Sequence, residues 1–142
     1  MTRARSRKFY RRLSLVFAAG CLGGLANSLA VWAAGASGFT GALGVKLAPA
    51  FTPAWLYPRL VWGGLWGLLF LLPIRRLSYV FRGLVFSLAP ALAQLLLFFP
   101  LKNPENLWGL KLGVLTPLLV LGFNAVWGLA AGLWLSLAGE DI

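Results

Sequence analysis

Apolar residues run through this chain in four long blocks, broken by proline, charge or short mixed stretches. A bilayer-spanning helix needs about 20 predominantly apolar residues, each adding 1.5 Å of length. The blocks from about 13 to 34, 55 to 74, 80 to 100 and 117 to 137 meet that requirement. Proline marks several of their ends. Pro53 or Pro58 opens the second and Pro73 closes it; Pro100 closes the third and Pro117 opens the fourth. Proline suits a first helical turn, where its missing N–H costs nothing. Pro90 falls inside the third block and predicts a kink, which membrane helices tolerate.

The blocks also resemble one another in pairs. Val16-Phe17 and Gly20…Gly24 lie 69 positions before Val85-Phe86 and Ala89…Ala93, and Leu43-Gly44-Val45 matches Leu112-Gly113-Val114 at the same offset. Val61-Trp62-Gly63…Gly67-Leu68 matches Val126-Trp127-Gly128…Gly132-Leu133 at an offset of 65. Repeats of this kind predict tandem structural units. The expected fold is an all-α integral membrane protein. Its four transmembrane helices form two tandem two-helix repeats: a first hairpin over 13–74 and a second over 75–137. A basic tail, 1–12, precedes them and a short tail, 138–142, follows. Both hairpins start on the same side, so the repeats are parallel, about an axis along the membrane normal.

Charge sets the orientation. The N-terminal tail holds Arg3, Arg5, Arg7, Lys8, Arg11 and Arg12, and the middle loop holds Arg75 and Arg76, with Arg82 just beyond. The remaining loops carry only Lys46, Lys102 and Lys111. By the positive-inside rule both termini are cytoplasmic, as in a multi-pass protein of the bacterial inner membrane. A topogenic tail that touches anionic headgroups accounts for the basic run, and no nucleic-acid partner is expected. The sequence Leu15-Val16-Phe17-Ala18-Ala19-Gly20-Cys21 resembles a lipoprotein cleavage box, and Ala34-Gly35-Ala36 a signal-peptidase site. The apolar stretch runs past both and exceeds a signal core, so an uncleaved first helix is expected.

Composition agrees and narrows the chemistry. Of 142 residues, 60% are hydrophobic and 11% charged, against about a quarter charged in a soluble domain. Histidine is absent, Cys21 is the single cysteine, and the acids are Glu105, Glu140 and Asp141. Disulfides, histidine-based metal sites, Ser/Cys–His nucleophiles and paired-carboxylate catalysis therefore have almost nothing to work with. No enzyme activity, cofactor or metal is expected. Trp32, Trp55 and Trp108 fall near outer helix ends, as in an aromatic belt, while Trp62, Trp66, Trp127 and Trp134 fall within the spans. On the outer side, Asn103-Pro104-Glu105 reads as a helix start, predicting a short interfacial or re-entrant helix from about 104 to 114. The stretch 41–48 is its counterpart.

Small residues one turn apart mark a packing face on each span: Gly20/Gly24, Gly63/Gly67, Ala89/Ala93 and Gly128/Gly132. Membrane helices gain by close backbone approach rather than by hiding leucine. Polar residues share or adjoin these faces. Arg59 precedes Gly63 by four, Asn124 precedes Gly128 by four, and Asn27 follows Gly24 by three, while Gln94 lies on the face of Ser87 and Pro90. The four polar residues sit about 8–12 Å inside the outer boundary. Asn27, Arg59, Gln94 and Asn124 thus form a candidate cluster, with Glu105 as the nearest acid that could join Arg59. An intramembrane arginine is a functional-site hypothesis by default. Two functions fit. One is a non-catalytic scaffold or accessory subunit, partnered by another membrane protein or by copies of itself. The other is a small channel or transporter for an anion or neutral solute.

Overall fold

The computed structural model describes residues 2–74 and 76–138. Arg75, Glu140 and Asp141, and with them most of the expected C-terminal tail, lie outside the described residues. The fold is all-helical: 78% of it is helix, with no strand among the described residues. Three helices are long and apolar enough to cross a membrane: Arg3–Ala36, Tyr79–Lys102 and Thr116–Ala138.

Helix α1 (Arg3–Ala36) starts where the Thr2 side chain accepts the Arg5 amide at 3.2 Å. At 34 residues it spans about 51 Å, more than a bilayer core. The basic stretch is therefore its first three turns rather than a separate tail. A short helix α2 (Phe39–Ala42) follows. Helix α3 (Pro53–Gly67) opens on a Thr52 cap and a proline first turn, then tightens into a 3-10 turn over Leu68–Leu71. Its α-helical part is 15 residues, shorter than the expected 55–74 span.

The third block is a broken rod. Helix α4 (Tyr79–Phe86) runs to Ser87 and helix α5 (Leu88–Ala93) continues it. The break lies one turn before Pro90, because proline lacks the N–H that would bond to the carbonyl four residues earlier. A π-helical segment follows (Gln94–Phe98), then α6 (Phe99–Lys102). Helix α7 (Thr116–Ala138) closes the chain.

Helix α1 packs against α3 and against α7, antiparallel to both; α4 packs against α7 and meets the end of α3. A Cβ on Gly20 would strike the Gly63 carbonyl and come within 2.9 Å of Gly64 and Gly67, so no other residue permits this approach. Gly24 faces the Arg59 carbonyl in the same seam. The α4·α7 seam is equally tight, between Gly83 and Gly128, with Gly132 against Tyr79 and Val80. Here the sequence reading needs correction: the small pair expected at Ala89 and Ala93 is only half-buried, and the closest contact is made by Gly83. Past Ser87 the contact with α7 is carried by Ala91, fully buried with Leu95 and Val120, so Ala89 and Ala93 lie off the contact face.

Between the seams, near the termini, lies a dry core of Val16, Ala19, Phe70, Phe86, Trp127, Ala131 and Leu135. Phe70 stands edge-on to Phe86 at 5.2 Å, joining the end of α3 to α4. The indole N–H of Trp127 points at the Gly20 carbonyl (3.1 Å) and the Gly63 carbonyl (3.3 Å), so α7 is tied to the α1·α3 seam.

At the opposite end the two loops clasp each other. The Lys46 amide donates to the Leu112 carbonyl at 2.8 Å, and Gly113 sits against Gly44 and Val45. The helix expected over 104–114 does not form. Asn103 Oδ1 accepts the Glu105 amide and Asn106 Oδ1 accepts the Lys111 amide, while Trp108 and Gly109 take positive φ. Side chains thus satisfy the backbone in place of a helix ladder, leaving a 3-10 turn over Leu107–Gly109. The 41–48 counterpart likewise holds only α2 and turns.

Candidate functional site

Away from the dry core, α3 and the α5–π–α6 rod diverge and leave a cavity of about 450 Å³. Asn27, Arg59, Gln94 and Asn124 all line it, so the structure brings together four side chains from four separate helical stretches. Arg59 sits in the second turn of α3, about 9 Å from its start. Its Nε donates to Ser28 Oγ at 2.9 Å and its Nη2 to Asn27 Oδ1 at 2.5 Å. The guanidinium also lies over the Trp55 ring, 4.6 Å from the centroid. Ser28 is itself held, donating to the Gly24 carbonyl at 2.7 Å. Asn27 passes the link across to α7, donating from Nδ2 to the Phe123 carbonyl at 2.6 Å.

A second pair faces this one. Asn124 Nδ2 donates to the Val120 carbonyl (2.8 Å) and to Gln94 Oε1 (3.3 Å). Among the described residues, Arg59 Nη1 and Gln94 Nε2 have no hydrogen-bond partner. Both belong to side chains that are otherwise fixed and that line the cavity. Fixed groups with spare donors can accept an anionic or strongly hydrogen-bond-accepting ligand without being reorganised first.

Glu105 does not join the cluster. It is 75% exposed and pairs with Lys111 at 2.9 Å, across the turn built by Asn103 and Asn106. It is the one acid among the described residues, so none of them offers Arg59 a carboxylate. Two site residues escaped the sequence reading. Ser28 resembles any small residue of a packing face, although its place next to Asn27 was a usable signal. Lys102 lines the cavity from the end of α6; in sequence it reads as a loop charge. The remaining wall is apolar, from Pro58, Trp62 and Trp66 on α3 and Pro90, Phe98, Phe99 and Leu101 on the opposite rod.

The packing glycines meet within the chain. Gly20, Gly24, Gly63 and Gly67 face each other across α1·α3, and Gly128 and Gly132 face α4. Cys21 is half-buried beside Gly64. Comparison with protein-family profiles, with curated proteins and with solved structures gives no match.

Proposed function

We propose that this chain is a non-catalytic, four-span protein of the bacterial inner membrane that holds an anionic group in a cavity open toward the non-cytoplasmic side. The carrying observation is the cavity itself. Arg59 and Lys102 line it together with the amides of Asn27, Gln94 and Asn124, of which Asn27 bonds Arg59, and no carboxylate among the described residues neutralises it. An arginine at the centre of a span costs about 2.5–3.5 kcal/mol on insertion scales and less nearer the boundary, and a ligand that completes Arg59 would recover part of its cost.

Several features support four spans. The 15 residues of α3 and the four of its 3-10 turn add up to about 30 Å, the thickness of a bilayer core. Arg3, Arg5, Arg7, Lys8, Arg11, Arg12 and Arg76 gather at the end of the bundle that holds the N terminus, which supports a cytoplasmic placement. Two hairpin repeats are also supported, with an altered register. Gly63 meets Gly20 as Gly128 meets Gly83, which gives offsets of 63 and 65. The matched tripeptides Leu43-Gly44-Val45 and Leu112-Gly113-Val114 touch each other, as equivalent segments do beside a two-fold axis.

An accessory-subunit role built on glycine docking loses its surface, because those glycines are used up inside the chain. A through-channel in a single copy meets the dry core around Phe70 and Trp127. The test is thermal unfolding of the purified protein in neutral detergent, with phosphate, sulfate and organic anions added. Stabilisation of the wild type that Arg59→Gln abolishes, with the unliganded fold intact, supports the site. No response to any anion or anionic amphiphile removes it.

A further inference from the structure

We infer that the cavity receives the headgroup of an anionic membrane lipid, admitted sideways through the gap between α3 and the π segment, with Trp62 and Phe98 as the gate. This rests on the anion-site reading above and adds the ligand class and its route. The two flanks of the cavity meet where the Trp62 ring stands edge-on to Phe98, with centroids 5.7 Å apart. Trp62 is 50% exposed and Leu101 is 78% exposed, so the gap faces the surroundings of the bundle rather than another helix of this chain. In a bilayer those surroundings are acyl chains.

The lining sorts by depth in the way a lipid does. Arg59 and Gln94 offer unused donors at the inner end, and Lys102 stands about 12 Å further along its rod, at the outer rim. Between them the wall is aromatic and aliphatic. A small water-borne anion would gain nothing from Trp62, Phe98 and Leu101, whereas glycerol and the first carbons of acyl chains would cover them. A volume of about 450 Å³ suits a headgroup with its glycerol but is too small for a whole phospholipid, so the tails must leave through the gap. Two cations disfavour a headgroup that carries its own ammonium. The π segment fits a gate as well. Such segments are rare and concentrate at functional sites, and this one brings Gln94 and Phe98 to the same cavity.

The experiment is native mass spectrometry of the intact protein in a neutral detergent. It is titrated with phosphatidylglycerol or phosphatidylcholine of matched chains, alongside thermal unfolding with inorganic phosphate and glycerol phosphate. One phosphatidylglycerol should be retained at least about tenfold more tightly than phosphatidylcholine, a difference of about 1.4 kcal/mol. Arg59→Gln should remove the preference, Lys102→Gln should weaken it, and Trp62→Ala should speed lipid exchange. Should Arg59→Gln fail to fold, Gln94→Ala, which removes only an amide, serves in its place. Equal retention of the two lipids overturns the inference. Stabilisation by inorganic phosphate without lipid selectivity overturns the lipid route and leaves the anion site standing. Silence toward all four probes removes both.

Discussion

Arg59 is held by two side chains from one neighbouring helix, so the cost of disturbing it falls on them as well. Asn27 accepts from Arg59 and donates to the Phe123 carbonyl. Asn27→Leu would leave a guanidinium N–H unpaired where water is scarce, and would take from the Phe123 carbonyl its second bond, though not its helical one. Polar contacts between membrane helices are worth about 0.6–2 kcal/mol, so a destabilisation of about 1–2 kcal/mol is expected in mixed-micelle denaturation. Arg59→Lys should not rescue Arg59→Gln in ligand response, because an ammonium cannot reach Ser28, Asn27 and the cavity with three fixed nitrogens. Trp127→Phe keeps an aromatic ring but loses the N–H aimed at Gly20 and Gly63 together with part of the buried indole volume, so a destabilisation of about 1–3 kcal/mol is expected. The polar cluster was readable in the sequence because its members are rare in such a chain, share or adjoin small-residue faces and fall at one depth. Glu105 misled because sequence distance does not show which cation an acid meets; Lys111 is nearer through a turn that only side-chain hydrogen bonds create.

At the level of elements, the two seams depend on the absence of single carbon atoms. Gly128→Ala would put a methyl into the Gly83 carbonyl, where the backbone must move apart; about 1–3 kcal/mol of destabilisation is expected from such overpacking. The same substitution at Gly122 meets nothing within 4 Å and should be neutral or stabilising by up to about 1 kcal/mol. Comparing the unfolding midpoints of these two variants separates packing from helix propensity. Hydrophobic length marked α1 and α7, and small-residue spacing marked the faces of Gly20/Gly24 and Gly63/Gly67 without showing that they meet each other, since rise and shared face describe one helix at a time. They could not place the α4·α7 contact. That contact falls on Gly83 and then on Ala91, a face that the Ala89/Ala93 spacing does not mark. The π segment was equally hidden: Gln94–Phe98 has the composition of any apolar helix, and its widening is a tertiary outcome.

For the whole molecule, the cavity marks where the two proposed repeats part company. Exchange of the hairpins would map the α1·α7 contact onto a contact between α4–α5 and α3. The first is closed, with Gly23 against Trp127 and Asn27 on the Phe123 carbonyl. The second is closed near the termini by Phe70 on Phe86; beyond that its two sides flank the cavity and touch through Trp62 and Phe98. A duplicated pair of hairpins that closed both contacts would be a solid bundle; opening one creates a one-sided chamber. The chamber ends on Trp127 and the apolar core of Val16, Ala19, Phe70, Phe86, Ala131 and Leu135, and the buried Arg82 lies on the terminal side of that core, over Tyr79. Reconstituted alone, the protein should therefore pass no phosphate, halide or small neutral solute above the leak of empty liposomes. Arg59→Leu should leave that baseline unchanged. Flux that depends on Arg59 would mean that the core opens or that copies assemble a path between them, and would favour a transporter over the proposed anion-binding role.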